Sequence, residues 1–307
     1  MGRNGAHKNG RRHGNGSKFG GMGSGDMKGF DGLANTLFVP LAARIAVSRE
    51  FPEYFHDQKA LELERLLPDG AARGAYQYTN MAAAARSLNM DRMVAAFAQR
   101  HGNCNVVYLG AGLETAYDRL RASLPDVLWF EADFPEVIKF RREIFGERER
   151  ERNISCDMFQ LEWTREIDAA IPTMLVVSGV FQYFHEEEVI AFIKGCGKAL
   201  PNSEMVFDAT GRGGLKFTNW FIRRTGNANA LMHFGVDDSK AFAVKCGMEL
   251  LEERTFFPDA LRMLGKRLNL VSRISMRIAE WKKQALILRL KPGSLISISE
   301  LPRNLRT

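Results

Sequence analysis

Three features of the 307-residue sequence predict an α/β fold in which a doubly wound, mostly parallel sheet follows a helical segment. First, short apolar runs succeed one another from residue 105: Asn105–Leu109, Val127–Phe130, Asn153–Asp157, Thr173–Ser178, Met205–Asp208, Leu250–Phe257 and Ala285–Leu290. Second, helical patterns such as Glu186–Leu200 separate most of these runs, the alternation that builds parallel sheets from strand–helix–strand units. Third, no strand pattern precedes residue 105. Right-handed crossovers in such a sheet leave a ligand crevice at the carboxyl ends of the strands. The glycine and acidic positions that stand out in this sequence lie at those ends.

Residues 1–29 are rich in Gly, Asn, Lys and Arg, with Phe19 as the only aromatic. Such a stretch buries too little apolar surface to offset its ordering entropy and is expected to be a disordered tail. Residues 30–292 are expected to form one domain, with a helical part over 30–100 and an α/β core over 101–292; residues 293–307 form a second tail. In the helical part Leu37, Leu41 and Ile45 recur at helical spacing, as do the Leu61–Leu67 and Met81–Phe97 stretches. Pro40, Pro52 and Pro68-Asp69-Gly70 are expected to punctuate it.

The formal charge of +7 is unevenly spread. The 1–29 stretch and the segment from residue 254 onward are strongly basic, and the part between them is net acidic. No zinc-finger or RNA-recognition signature accompanies the basic ends, so nucleic acid is not expected as the principal partner. The basic stretch Arg262–Lys283 interleaves Leu264, Leu268, Val271, Ile274 and Ile278, which predicts a helix packed on its apolar side with a basic outer face. The charge-free stretch Ile171–Phe184 is too short to span a bilayer, so no membrane partner is expected. Cys104, Cys156, Cys196 and Cys246 lie far apart without metal-ligand spacing. With no apolar leader at the amino terminus, they read as reduced, mostly buried thiols of a cytoplasmic protein, and no metal is expected.

Gly110-Ala111-Gly112 follows the first strand and opens a helix, where glycines allow a tight turn and close approach of a ligand to the backbone. Thr115 stands where a third glycine would complete the dinucleotide fingerprint, so by itself the loop reads equally as a structural turn. Glu131 and Asp133 end the second strand, where a carboxylate can accept from both hydroxyls of a ribose; strand alternation puts them on one side, and only the residue at the tip is expected to face a ligand. Asp157, with Met158 beside it, ends the third strand and offers an acceptor and an apolar surface suited to an adenine.

Leu109–Thr115, Trp129–Pro135, Cys156-Asp157 through Trp163, Pro172–Phe184 and Glu204–Asp208 form an ordered set. Together they resemble the leucine carboxyl methyltransferase superfamily, and within it the O-methyltransferases of polyketide biosynthesis of the tetracenomycin type. The resemblance spans roughly residues 33–290 and implies a class I, Rossmann-like methyltransferase that uses S-adenosylmethionine under an N-terminal helical lid. It implies cofactor contacts from the loop at Gly110 and Gly112, from Asp133 at the ribose, and from Asp157 with Met158 at the adenine. It also implies that Arg86 pairs with the cofactor carboxylate, a task a guanidinium fork suits better than an ammonium. Ser178-Gly179 stands where the family has a glutamate, so Ser178 is expected to contact the cofactor without supplying a charge.

The implied reaction is methyl transfer to oxygen of a small acceptor, a carboxylate or a hydroxyl of a polyketide-type or other secondary metabolite. Three residues are candidates around the acceptor: Tyr183, which could equally be a core tyrosine; His56, the histidine of the lid region; and Arg44, which could orient an anion or merely face solvent. His185 reads as a surface cap residue and His233 as part of a substrate wall. The thin supply of bases favours a carboxylate acceptor, which is ionised at neutral pH, over a phenol. The rival readings are a cofactor-binding but inactive partner protein, motivated by Ser178, and a protein carboxyl methyltransferase.

Overall fold

The computed structural model describes residues 33–68, 76–215, 219 and 231–293. The tails expected over 1–29 and 293–307 therefore fall outside the described residues, apart from Gly293. The chain opens with helices α1 (Leu33–Glu50), α2 (Gln58–Glu62) and α3 (Gln77–His101). Strand β1 (Cys104–Leu109), helix α4 (Ala116–Leu120), β2 (Val127–Asp133), α5 (Pro135–Phe145), β3 (Glu151–Ser155) and β4 (Thr173–Val177) follow. Then come α6 (Glu186–Ala199), β5 (Ser203–Thr210), α7 (Ser239–Lys245), β6 (Met248–Thr255), α8 (Pro258–Leu264), α9 (Leu270–Trp281) and β7 (Ala285–Pro292).

The strands form one seven-stranded sheet in the order β3-β2-β1-β4-β5-β7-β6, parallel except for β7, which runs antiparallel to both neighbours. Strand order reverses between β1 and β4, the point where an open sheet of this kind splays its connections and leaves a crevice. Both faces are covered. Val106 and Tyr108 of β1 join a core with Met90, Val94 and Phe97 of α3, while the alternating Val107 and Leu109 join a second core with Val189, Phe192 and Ile193 of α6. Burial on both faces explains why these strands read as continuous apolar runs.

Several expectations shift. Pro40 lies inside α1 rather than ending a helix. The cost of one missing backbone donor is offset by burial of Leu37, Leu41 and Ile45 along one side. Helix α3, expected within the lid segment, packs against the sheet as part of the α/β layers. Of the described helices of this segment, α1 and α2 stand over the carboxyl end of β1, where Leu37, Leu41 and Ala60 pack on Leu113 and Val137. The Arg262–Lys283 stretch breaks into α8, a 3-10 turn and α9, and the apolar residues expected to pack are only partly inward. Leu264 and Leu268 are buried, but Val271, Ile274 and Ile278 are exposed.

Candidate active site

A cavity of about 270 Å3 opens at the carboxyl ends of β1, β2, β3 and β4. Gly110 leaves β1 with φ +69°, and a Cβ there would stand 2.6 Å from Val180 Cγ2; Gly112 has φ +49°. Both values favour glycine strongly, and together they curl the backbone into the cavity wall. Asp133, at the tip of β2, locks this loop: its two carboxylate oxygens accept hydrogen bonds from Gly112 N and Phe134 N, each at 2.7 Å. Burial pushes the Asp133 carboxyl above its usual range, opposed by those two donors.

From β3, Asp157 lines the cavity and accepts from Phe159 N at 3.0 Å, with Met158 beside it. Ser178 and Gly179 follow β4, and Tyr183, 38% exposed, comes from the 3-10 turn Phe181–Tyr183. Arg86 reaches the wall from α3. Its Nη1 pairs with Asp208 Oδ2 at 3.1 Å, and its Nε is buried without a hydrogen-bond partner. Asp208 also accepts from Gly179 N at 2.6 Å, so a carboxylate from β5 backs the turn that carries Ser178.

Beneath this wall lies a buried charge cluster. Arg119 of α4 donates to Asp57, Asp91 and Glu114, and Arg44 of α1 bonds Asp57 at 3.2 Å and the Leu113 carbonyl at 2.7 Å. Asp57 also accepts from Thr115 Oγ1 and caps α2 through Ala60 N. Burial alone would raise the Glu114 carboxyl, but Arg119 and Arg44 bring it down to about 2. Arg141 of α5 buttresses the loop from behind, donating to the carbonyls of Gly112 and Glu114 and standing 3.3 Å from Glu131. Burial drives the Glu131 carboxyl well up despite that neighbour. Glu131 is thus part of the interior and only Asp133 reaches the cavity.

Comparison with known proteins fits this geometry. A profile described as leucine carboxyl methyltransferase matches residues 34–196, more than half of the chain. The chain belongs to the leucine carboxyl methyltransferase family. TcmP of Streptomyces glaucescens, described as a tetracenomycin polyketide synthesis O-methyltransferase, is 26% identical over 199 residues, covering 64% of this chain and 73% of TcmP. The S-adenosyl-L-methionine-dependent methyltransferase dpfgK of Gibberella zeae is 22% identical over 270 residues, covering 81% of this chain and 90% of dpfgK. A solved structure from Thermobifida fusca superposes with a TM-score of 0.59 at 16% identity. It covers 87% of this chain and 98% of the other, a likeness of fold. This family member is an S-adenosylmethionine-dependent methyltransferase.

The residues present suit that cofactor. Among the polar groups at the wall, the orphaned Arg86 Nε is a cationic donor with no partner, and the half-buried Asp133 carboxylate is an anionic acceptor with lone pairs left beyond its two backbone donors. A donor that carries both a carboxylate and a ribose diol matches that pair. When bound, the cofactor supplies an electrophilic methyl on a sulfonium.

The structure brings Arg44, Arg86, Gly110, Gly112, Asp133, Asp157, Met158, Ser178 and Tyr183 to one cavity. It places His56 elsewhere: that residue is exposed and outside the lining, because the chain turns outward between Phe55 and Asp57, both of which are buried. His185 and His233 meet each other with ring centroids 4.6 Å apart and the planes tilted by 39°, also outside the lining. Arg44 touches the cavity, yet its nitrogens are engaged by Asp57, Leu113 and Glu114, so it holds α1 to the loop and has no free fork for an anion. Asp57, Asp91, Arg119 and Arg141 escaped sequence reasoning; a charged residue inside an apolar helical pattern, as at Arg119 and Arg141, was the only available signal.

Proposed function

We propose that this methyltransferase acts on oxygen of a small, largely apolar metabolite, and that the accepting group is a carboxylate. The supporting observation is the composition of the cavity wall. No histidine lines it among the described residues, Glu114 is held near 2 by its arginine neighbours, and the Cys156 thiol is pushed by burial up to about 11. Glu114 is thus a very weak base and Cys156 keeps its own proton at neutral pH, while Asp133 and Asp157, the other acids of the wall, are the groups this reading gives to the cofactor. A carboxylate acceptor needs no base, whereas a phenol, with a pKa of about 10, would. Leu37, Pro40, Val137, Tyr183 and Phe184 give the wall an apolar character suited to a polyketide-type acid, the class of chemistry named for TcmP.

In this reading Gly110, Gly112, Asp133, Asp157, Met158, Ser178 and Arg86 hold the cofactor. Tyr183, at the cavity wall, orients the acceptor through its hydroxyl. Alignment of acceptor oxygen with the methyl, and exclusion of water by α1 and the Phe181–Tyr183 turn, are then the protein's main contributions to rate.

The test is incubation of the purified protein with labelled S-adenosylmethionine and a matched panel of aromatic acids and phenols, read by mass spectrometry. Label in esters, at a rate flat from about pH 6 to 9, is the expected result, since a carboxylate is already ionised across that span. Label only in phenolic ethers, with a rate that climbs with pH, would replace the carboxylate reading.

A further inference from the structure

Helix α9 carries two apolar sides. Ser272, Met276 and Ala279 face the body of the protein and are buried. Leu270, Val271, Ile274, Ile278 and Trp281 fall on the opposite side at helical spacing, within an arc of about 100°. All are exposed, Val271 at 76% and Trp281 at 81%. Large apolar side chains gathered on one outward stripe mark a contact surface, unlike single exposed residues scattered over a protein.

The borders of the stripe are cationic. Arg273 and Arg277 lie along one side and Lys282 along the other, its Nζ 5.9 Å from the Trp281 ring centroid. Among the described residues none of these three has a carboxylate partner within ion-pairing distance, although most of the other described arginines do. The one acid of the helix, Glu280, is turned inward to Thr255 and Phe257 N. A second copy of the chain docked through this stripe would set these cations against each other, since the helix itself turns no acid outward to meet them. An anionic lipid surface satisfies both features at once, burying the apolar side chains and neutralising the flanks, with the indole at the interface.

We propose that α9 docks the protein onto an anionic lipid bilayer through Leu270, Val271, Ile274, Ile278 and Trp281, with Arg273, Arg277 and Lys282 against the headgroups. The short apolar stretches that led to no expected membrane partner bear on spanning, not on a helix lying at the surface. Strand β7, which α9 leads into, begins opposite Thr210 at the carboxyl end of β5, so the Trp281 end of the stripe lies at the same sheet edge as the cavity.

The test is co-sedimentation of the full chain with vesicles of phosphatidylcholine and phosphatidylserine, compared with phosphatidylcholine alone, at low and high salt. Expected is salt-sensitive binding to the anionic vesicles only, weakened about tenfold or more in Ile274→Glu/Trp281→Glu and measurably in Arg277→Gln/Lys282→Gln. Thermal midpoint and S-adenosylhomocysteine affinity should stay unchanged, since these side chains are solvent-facing. No binding at low salt overturns the proposal, as does equal binding to both vesicle types. Binding undiminished in both variants overturns it too, by assigning the attraction to the basic amino-terminal stretch. A concentration-dependent dimer abolished by Ile274→Glu/Trp281→Glu, without vesicle binding, assigns the stripe to a second copy instead.

Discussion

Arg119 and Arg86 stand on either side of the same glycine loop and have opposite fates. Arg119 is fully engaged: its three guanidinium nitrogens meet Asp91, Asp57 and Glu114, with Thr115 Oγ1 as a further partner. Arg86 has a single ion pair, to Asp208, and a buried Nε with no partner. A saturated buried cation is a structural clamp, whereas one with unused donors at a cavity wall is poised for a ligand. Residue type does not separate these roles; the number of partners does.

The largest effect should come from the saturated member. Arg119→Leu leaves three buried carboxylates without their main counter-charge and should cost about 3–5 kcal/mol in urea unfolding. A loss below about 1 kcal/mol would show that the cluster is not a clamp. Asp133→Ala tests the ligand side: titration calorimetry should show S-adenosylhomocysteine binding weakened by about 1–3 kcal/mol. Arg86→Lys keeps the charge opposite Asp208 but loses the fork, and should weaken the same binding by about 1.5 kcal/mol while the unfolding midpoint barely moves. If Arg86→Lys instead unfolds the protein and leaves affinity intact, the two arginines have the same role.

The smallest effect is in pH dependence. The Glu114 carboxyl lies at about 2 in the folded protein, below its ordinary value of 4.5. The unfolded chain therefore binds the proton first as pH falls. The stabilisation is complete above about 4.5 and is lost progressively down to about 2. Acid titration of Glu114→Gln should show a shallower slope across that window. An unchanged slope would place the acid sensitivity elsewhere.

Much of the fold was legible because both faces of the sheet are covered: β1, β4 and β7 announce themselves as apolar runs. Strand β2 runs three residues past its apolar stretch, through Glu131-Ala132-Asp133, because parallel pairing to Tyr108, Leu109 and the β3 residues continues there. Strand β3 begins two residues earlier than its pattern suggests, since an edge strand with the sequence Glu-Arg-Asn-Ile-Ser carries one apolar side chain to register. The cavity positions were legible at strand ends, where topology dictates placement. The clamp was not, because its members come from α1, the α2 cap, α3 and α4, and no local pattern links charges so far apart in the chain. The direction of α9 was hidden for a different reason: periodicity gives the spacing of an apolar side, not which side meets the body.

The Arg119–Asp57–Arg44 cluster has a consequence for how such a molecule can change over generations. Asp57, Asp91 and Arg119, through which Arg44 fastens α1 and α2, do not line the cavity, whereas Pro40, Tyr183 and Phe184 do. Mutations can therefore resculpt the binding space while its roof stays fastened, so new acceptors can be recruited without first sacrificing the fold.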